Sequence, residues 1–129
     1  MKYPFQRDET EGLLIVSVTL DDKFELKMAF DTGATHTTID SNALYMCGYT
    51  LMDNIGTVEI ETANGIIQTE VFEIQEFTSL GIFRKNFQIQ VFDFLAHGIF
   101  SGYNGLLGLD FLEEKEFCVS LPKQTIELK

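Results

Sequence analysis

The stretch Phe30-Asp31-Thr32-Gly33-Ala34-Thr35 decides how the rest of the chain is interpreted. It places one carboxylate directly after an apolar run and follows it with a small hydroxyl residue and a glycine. The apolar residues of that run are Phe24, Leu26, Met28 and Phe30. They alternate with charged or small residues, and this period of two predicts a half-buried β-strand. Asp31 is therefore expected where a strand ends and a turn begins, and Gly33 lets a neighbouring segment or a substrate approach closely.

The turn around Asp31 resembles the Asp-Thr/Ser-Gly-Ala-Ser/Thr signature of retroviral-type, or retropepsin-like, aspartic proteases. On the tripeptide alone, an ordinary turn in which Asp31 caps its own backbone is an equally good interpretation. Two further stretches favour the family. Asn104-Gly105-Leu106-Leu107-Gly108-Leu109-Asp110-Phe111-Leu112 resembles the family's apolar-apolar-glycine element and the short helix after it. Residues 57–71 predict a hairpin with an Asn-Gly tip, where the family keeps its flap, although an ordinary sheet hairpin remains an alternative for this segment.

The resemblance covers residues 13–129, after an N-terminal arm at 1–12. It implies a mostly β, single-domain acid-protease barrel with a flap hairpin and one or two short helices, active as a homodimer. In this fold the apolar-apolar-glycine element threads beneath the catalytic turn. The implied catalytic residues are Asp31, Thr32 and Gly33. The implied substrate-binding residues are Ala34 in the turn and Ala63, Asn64 and Gly65 at the flap tip. No metal or other cofactor is expected.

The homodimer also follows from the chemistry. Hydrolysis of an amide by activated water needs an acid and a base in one place, and two carboxylates that share a proton serve as both. The other aspartates lack a following Thr-Gly or Ser-Gly, so each chain supplies one such carboxylate. The sequence therefore predicts an aspartic endopeptidase in which two copies of Asp31 meet on a two-fold axis. The resemblance implies that Thr32 hydrogen-bonds across that axis.

Composition and net charge limit the other classes of protein to which the chain could belong. The chain has 129 residues, 45% of them hydrophobic, which is enough for one domain with one core. A net charge of −11 argues against a nucleic-acid partner, because phosphate binding needs clustered Lys and Arg. No apolar run approaches membrane-spanning length and the N-terminus lacks an apolar signal region, so a cytoplasmic protein without a membrane partner is expected. Cys47 and Cys118 are expected to be reduced and buried.

Periodicity and turn residues predict the elements in order. Residues 1–12 are expected to be a loosely held arm, and the pair Arg84-Lys85 an exposed turn. Asp40 or Ser41 is expected to cap a short helix that ends at Gly48. Predicted helices lie at 42–46 and 109–115. Predicted strands lie at 13–20, 24–30, 37–39, 56–62, 66–75, 77–82, 86–92, 117–121 and 124–128.

The sequence gives little support for other kinds of functional site. His36 with Ser41 or Cys47 could form a nucleophile and base, but no flanking sequence favours it. His97 lacks partners at metal-ligand spacing, and the glycines at 102, 105 and 108 lack the lysine of a phosphate loop. Two hypotheses remain: an active homodimeric aspartic endopeptidase, or a retropepsin-like peptide-binding or dimerisation module with little turnover. The intact Asp31 motif favours the enzyme.

Overall fold

The computed structural model describes residues 1–63, 65–99 and 101–129, and the described part is mostly β. Its strands are β1 (Lys2–Pro4), β2 (Gln6–Arg7), β3 (Leu14–Leu20), β4 (Phe24–Phe30), β5 (Thr38–Asp40), β6 (Asn54–Thr62), β7 (Gly65–Ser79), β8 (Ile82–Phe92), β9 (Gly105–Leu107), β10 (Phe117–Ser120) and β11 (Thr125–Leu128). The helices are α1 (Ser41–Met46) and α2 (Leu109–Leu112), with 3₁₀ turns at Leu51–Asp53 and Leu95–His97.

Eight strands form one sheet in the order β2-β3-β4-β9-β5-β8-β7-β6. An additional pairing of β3 with β7, through Thr19–Thr78 and Leu20–Phe77, curls this sheet back on itself. The strand predicted at 13–20 is confirmed as β3, where Val16, Val18 and Leu20 are buried and Ser17 is exposed. β3 pairs antiparallel with β4, the strand predicted at 24–30, and β4 ends at Phe30, directly before Asp31.

β6 and β7 form the long hairpin that was predicted from the Asn-Gly tip. A register shift between Asn54 and Gly56 bends its base. β7 runs on without a break to Ser79 and then turns at Leu80-Gly81 into β8. The prediction of a separate strand at 77–82 is therefore wrong, because the apolar alternation continues through the hairpin strand and the turn lies inside the predicted segment.

A second, three-stranded sheet has the order β1-β11-β10. β10 and β11 correspond to the strands predicted at 117–121 and 124–128, and they pair as an antiparallel hairpin. The expectation that residues 1–12 are loosely held is wrong: β1 pairs with β11, β2 pairs with β3, and Phe5 between them is only 3% exposed. A single buried aromatic side chain between two short strands gives no periodic signal, which is why the polar composition around it was misleading.

One hydrophobic core joins both sheets and α1, with Phe72, Phe77 and Phe111 among its fully buried side chains. Two expectations about side chains fail. Cys118 is exposed, whereas Cys47 is buried as predicted, and both are free cysteines. Arg84 lies within β8 and not in a turn, and its guanidinium donates to the backbone carbonyl oxygens of Phe111 and Glu113 at the end of α2.

Candidate active site

Asp31 leaves the end of β4 in a turn that the backbone holds from two sides. Its N–H donates to the carbonyl oxygen of Leu107 in β9 (3.0 Å), and its own carbonyl oxygen accepts from the N–H of Ala34 (3.1 Å). The N–H of Gly33 donates to Oδ1 of the Asp31 carboxylate (2.9 Å). Asp31 is half-buried, while Thr32 and Gly33 are exposed. The turn thus presents one oriented carboxylate at the surface of the single chain.

The apolar-apolar-glycine element crosses beneath this turn, as predicted. β9 pairs in parallel with β4 and antiparallel with β5, so it lies between the strand that enters the turn and the strand that leaves it. A Cβ atom added to Gly105 would lie 2.2 Å from the carbonyl oxygen of Thr38. One added to Gly108 would lie 2.8 Å from the carbonyl oxygen of Ala34. Both glycines are therefore needed for close approach of two backbones.

Thr37 and Asp110 join the turn to α2. The Asp110 carboxylate accepts hydrogen bonds from the Thr37 N–H (2.9 and 3.0 Å) and from the Thr37 hydroxyl (2.7 Å). The same hydroxyl accepts from the N–H of Gly108 (3.1 Å). Thr37 is fully buried. The sequence analysis named Asp110 only as part of the apolar-apolar-glycine stretch, and its position two residues after Gly108 was the signal that could have located this contact.

His36 and Cys47 do not form a nucleophilic pair in the described geometry. The His36 side chain is exposed, and its Nδ1 lies 4.0 Å from Oδ2 of Asp110. Cys47 ends α1, where burial, with a smaller contribution from the Asp21 carboxylate, raises the pKa of its thiol. A raised pKa lowers the fraction of the reactive thiolate at neutral pH. Ser41, the other nucleophile considered, is buried on α1.

Tyr103 is a residue near the site that the sequence did not single out. It lies two residues before β9. Burial raises the pKa of its phenol, and the carboxylates of Glu11, Asp8 and Asp31 add to the effect. The Tyr103 hydroxyl therefore stays protonated at neutral pH and shares an acidic environment with the candidate catalytic carboxylate.

The structure brings only part of the predicted site into one turn. Asp31, Thr32, Gly33 and Ala34 lie together there. Ala63 and Gly65 are exposed at the end of the β6–β7 hairpin, with Gly65 at a φ of 118°, and Asn64 lies outside the described residues. The five principal cavities between described residues have volumes of about 130–380 Å³, and none is lined by Asp31. None of these five cavities therefore encloses the candidate carboxylate of a single chain.

Neither a metal-binding cluster nor a membrane-spanning helix is found within residues 1–63, 65–99 and 101–129. No group of three or more His, Cys, Asp or Glu side chains there could hold a metal ion. No helix in the same ranges is both long enough and apolar enough to cross a membrane.

Comparisons with known proteins agree with this geometry. The chain belongs to the aspartyl protease family, whose model matches residues 16–111. Its structure is similar to the crystal structure of a retropepsin-like aspartic protease from Rickettsia conorii, with a TM-score of 0.71, 20% sequence identity and 98% of each chain covered. At that identity the likeness shows the fold. No curated protein matches the sequence. The resemblance to retropepsin-like proteases and the mostly β, single-domain fold are confirmed.

Proposed function

We propose that this protein is a homodimeric aspartic endopeptidase, in which the two Asp31 carboxylates of the dimer activate a water molecule for peptide-bond hydrolysis. One observation carries the proposal: Asp31 is oriented by the Gly33 N–H and anchored to Leu107, at the surface of a chain that offers one such carboxylate. A single carboxylate cannot act as acid and base together. A second copy of the chain supplies the other.

The two carboxylates would share one proton. Like charges a few ångströms apart do not both ionise readily, so one proton stays between the two carboxylates and they act as a unit. The ionised carboxylate takes a proton from water as the water attacks the substrate carbonyl. The protonated carboxylic acid hydrogen-bonds the carbonyl oxygen and stabilises the charge that develops on it. The hydrogen bond from Gly33 fixes the orientation of the carboxylate before substrate binds, which is what preorganised catalysis requires.

The neighbouring residues have proposed roles that fit their exposure. Thr32 is exposed and its hydroxyl has no hydrogen-bond partner within the described ranges, so it is free to pair across the dimer axis. Gly33 and Ala34 would contact the substrate backbone. The tip of the β6–β7 hairpin would close over the bound peptide. The apolar side chains of Val58 and Ile66 on this hairpin are exposed in the single chain, as expected for a lid without its substrate.

The test compares cleavage of a mixed peptide library by the wild-type chain and by Asp31→Asn. The variant keeps the size of the side chain and removes the base, so kcat/KM is expected to fall by about 10²–10⁴-fold. Asp22→Asn is the matched control, because Asp22 is exposed in a turn at a φ of 53° that asparagine tolerates. Equal cleavage by wild type and Asp31→Asn would remove Asp31 from the mechanism. Absence of cleavage by wild type under all conditions would favour a binding module.

Two further measurements test the dimer. A bell-shaped dependence of kcat/KM on pH is expected, because one carboxyl must be protonated and the other ionised. Sedimentation at the assay concentration is expected to show a dimer. Full activity from a protein that sediments only as a monomer would contradict the shared site.

A further inference from the structure

One of the five cavities lies between α1, β7 and the end of β8, and the candidate active site does not account for it. This α1–β7 cavity has a volume of about 280 Å³, and none of the described residues that line it belongs to the turn around Asp31. Pockets that hold a whole drug-sized ligand measure roughly 300–1,000 Å³. The α1–β7 cavity is therefore of a size for one side chain or one small molecule.

Glu70 contributes an unpaired carboxylate to this cavity from the core-facing side of β7. Side chains two positions apart share a face of a strand, so Glu70 lies on the same face as Phe72 and Ile74. Both of these are fully buried, and Val91, which lies opposite Glu70 on β8, is only 1% exposed. Glu70 itself is half-buried and forms neither an ion pair nor a side-chain hydrogen bond within the residues that the structure describes. A carboxylate partly removed from water without a partner is suited to bind a cation.

Ser41 contributes a hydroxyl group that also lacks a partner. It is the first residue of α1, it lines the same cavity, and it is only 7% exposed. Its hydroxyl forms no hydrogen bond within residues 1–63, 65–99 and 101–129, although buried hydroxyl groups are normally hydrogen-bonded. Two elements, α1 and β7, thus each present an unsatisfied polar group to one cavity. A ligand with several hydrogen-bond donors would satisfy both.

The α1–β7 cavity carries further negative charge. The Ala96 N–H (3.1 Å) and the Asn42 side-chain amide (3.0 Å) donate to the Asp93 carboxylate and hold its pKa below the usual range, so it is ionised at neutral pH. Burial raises the pKa of the Tyr45 phenol, and the carboxylates of Glu70 and Asp93 add to the effect. Both carboxylates are therefore close enough to act on this ring. Neither Lys nor Arg is among the described residues that line the cavity, so the chain itself does not neutralise them.

Aromatic rings form the rest of the wall. Phe92 and His97 both line the cavity, and their rings pack edge to face with 5.1 Å between centroids. Nδ1 of His97 lies 2.8 Å from the carbonyl oxygen of Asp93. A neutral imidazole that donates from Nδ1 has an acceptor at Nε2. The cavity thus combines aromatic rings with hydrogen-bond acceptors, which is the environment that a flat organic cation requires.

We propose that the α1–β7 cavity binds a guanidinium group on an alkyl stem, such as an arginine side chain, between the carboxylates of Glu70 and Asp93. A guanidinium group carries a permanent charge and five N–H donors in one plane, which suit two carboxylates and the Ser41 hydroxyl. Its flat face stacks on aromatic rings, and Tyr45 and Phe92 supply them. An ammonium group has no such face. This binding site is separate from the proposed Asp31 mechanism, and its ligand would join the β6–β7 hairpin to α1.

A titration followed by ¹H–¹⁵N NMR tests the location and the ligand. The protein is the full chain with Asp31→Asn, so that the candidate active site neither cleaves nor offers a pair of carboxylates. The probe is N-acetyl-arginine methylamide at pH 7.5, because a protonated His97 would repel a cation. N-acetyl-citrulline methylamide, which has nearly the same shape and no charge, is the matched control and should bind at least about 10-fold more weakly. The largest shifts of amide signals are expected within residues 41–45, 68–70 and 91–97.

Substitution of Glu70 tests the carboxylate. Glu70→Gln should raise the dissociation constant of the arginine probe about 10-fold or more, because it removes a hydrogen bond to a charged group. Glu73→Gln removes the same charge from the same strand, but Glu73 is exposed and lies on the opposite face of β7, so the dissociation constant should not change. Ser41→Ala should raise it by about 2–10-fold. Circular dichroism confirms that each variant is folded.

Three results would overturn the proposal: equal affinity for the arginine and citrulline probes, shifts centred outside the three ranges, or the same affinity in Glu70→Gln and Glu73→Gln. Tighter binding of N-acetyl-lysine methylamide than of the arginine probe would overturn the choice of a guanidinium group. A pentapeptide with arginine between glycines separates the sources. Tighter binding of this peptide assigns the cavity to an arginine of a partner protein, and equal binding assigns it to a small guanidinium compound. Because every protein carries Asp31→Asn, these results do not depend on whether the chain is a protease.

Discussion

Two buried threonines with opposite surroundings give the sharpest prediction about stability. The Thr37 hydroxyl donates to the Asp110 carboxylate at 2.7 Å and accepts from the Gly108 N–H at 3.1 Å. The Thr69 hydroxyl, on β7, is buried and has no hydrogen-bond partner within the described ranges. Replacement of each by valine keeps the shape of the side chain and removes the hydroxyl. The two substitutions should therefore change the free energy of unfolding in opposite directions.

The magnitudes follow from what each valine leaves behind. Thr37→Val removes a hydrogen bond to a charged group and leaves the buried N–H of Gly108 without a partner. Together these effects are expected to cost about 2–4 kcal/mol. Thr69→Val removes a buried polar group that gains nothing from the fold, so it is expected to stabilise the protein by about 1–2 kcal/mol. At this chain length the two variants should differ in Tm by roughly 10 °C or more.

The assay is urea unfolding followed by circular dichroism. All variants carry Asp31→Asn, so that self-cleavage plays no part, and all are measured at one protein concentration because dimerisation contributes to apparent stability. Loss of stability in Thr69→Val as large as that in Thr37→Val would refute the reasoning. A Thr37→Val variant whose free energy of unfolding lies within about 0.5 kcal/mol of its parent's would also refute it, because the hydrogen bonds between the turn around Asp31 and α2 would then contribute nothing.

Three further substitutions test the same framework. Gly108→Ala should abolish activity and lower Tm, because its Cβ would lie 2.8 Å from the backbone carbonyl oxygen of Ala34 in the turn after Asp31. Gly102→Ala, whose Cβ would have nothing within 4 Å, should leave both unchanged. Arg84→Met should lower the free energy of unfolding in urea by about 1.5–3 kcal/mol, since three hydrogen bonds from the guanidinium hold the end of α2. Tyr49 is hydrogen-bonded to Asp21 (2.5 Å), and burial and this bond raise the pKa of its phenol above the usual 10.0. The folded state thus holds that proton more tightly than the unfolded state, so stability falls as pH rises above about 10; Tyr49→Phe should flatten this decline in alkaline unfolding curves while costing about 1 kcal/mol at neutral pH.

The turn around Asp31 and the crossing beneath it could be predicted because they constrain residue identity. Only glycine fits at 105 and 108, where a Cβ would meet backbone atoms of the neighbouring segment. Alternation of apolar residues predicted β4, and therefore placed Asp31 at the end of a strand. Such positions can be recognised in a single sequence, because a residue with a side chain would collide there with neighbouring backbone atoms.

Other features left no signal of that kind. Arg84 was expected in an exposed turn, yet its guanidinium reaches α2, because a long side chain finds partners that only the tertiary structure defines. The burial of Phe5 depends on two short strands whose pairing partners lie far along the chain. Cys118 was expected to be buried because apolar residues flank it, but it lies on the outward side of an edge strand.

The base of the candidate site and its proposed assembly from two chains differ in how far the sequence predicts them. At the base of the site, backbone and side-chain hydrogen bonds join the turn around Asp31 to β9, Thr37 and α2. These hydrogen bonds fix the position of one carboxylate per chain. Assembly of the proposed dimer makes weaker demands on sequence, because the contacts between two copies of a chain are defined only by the tertiary structure of each. It follows that a change at the glycine crossing should remove activity and lower stability together, whereas a change that only weakens the proposed dimer should remove activity and leave the turn around Asp31 intact.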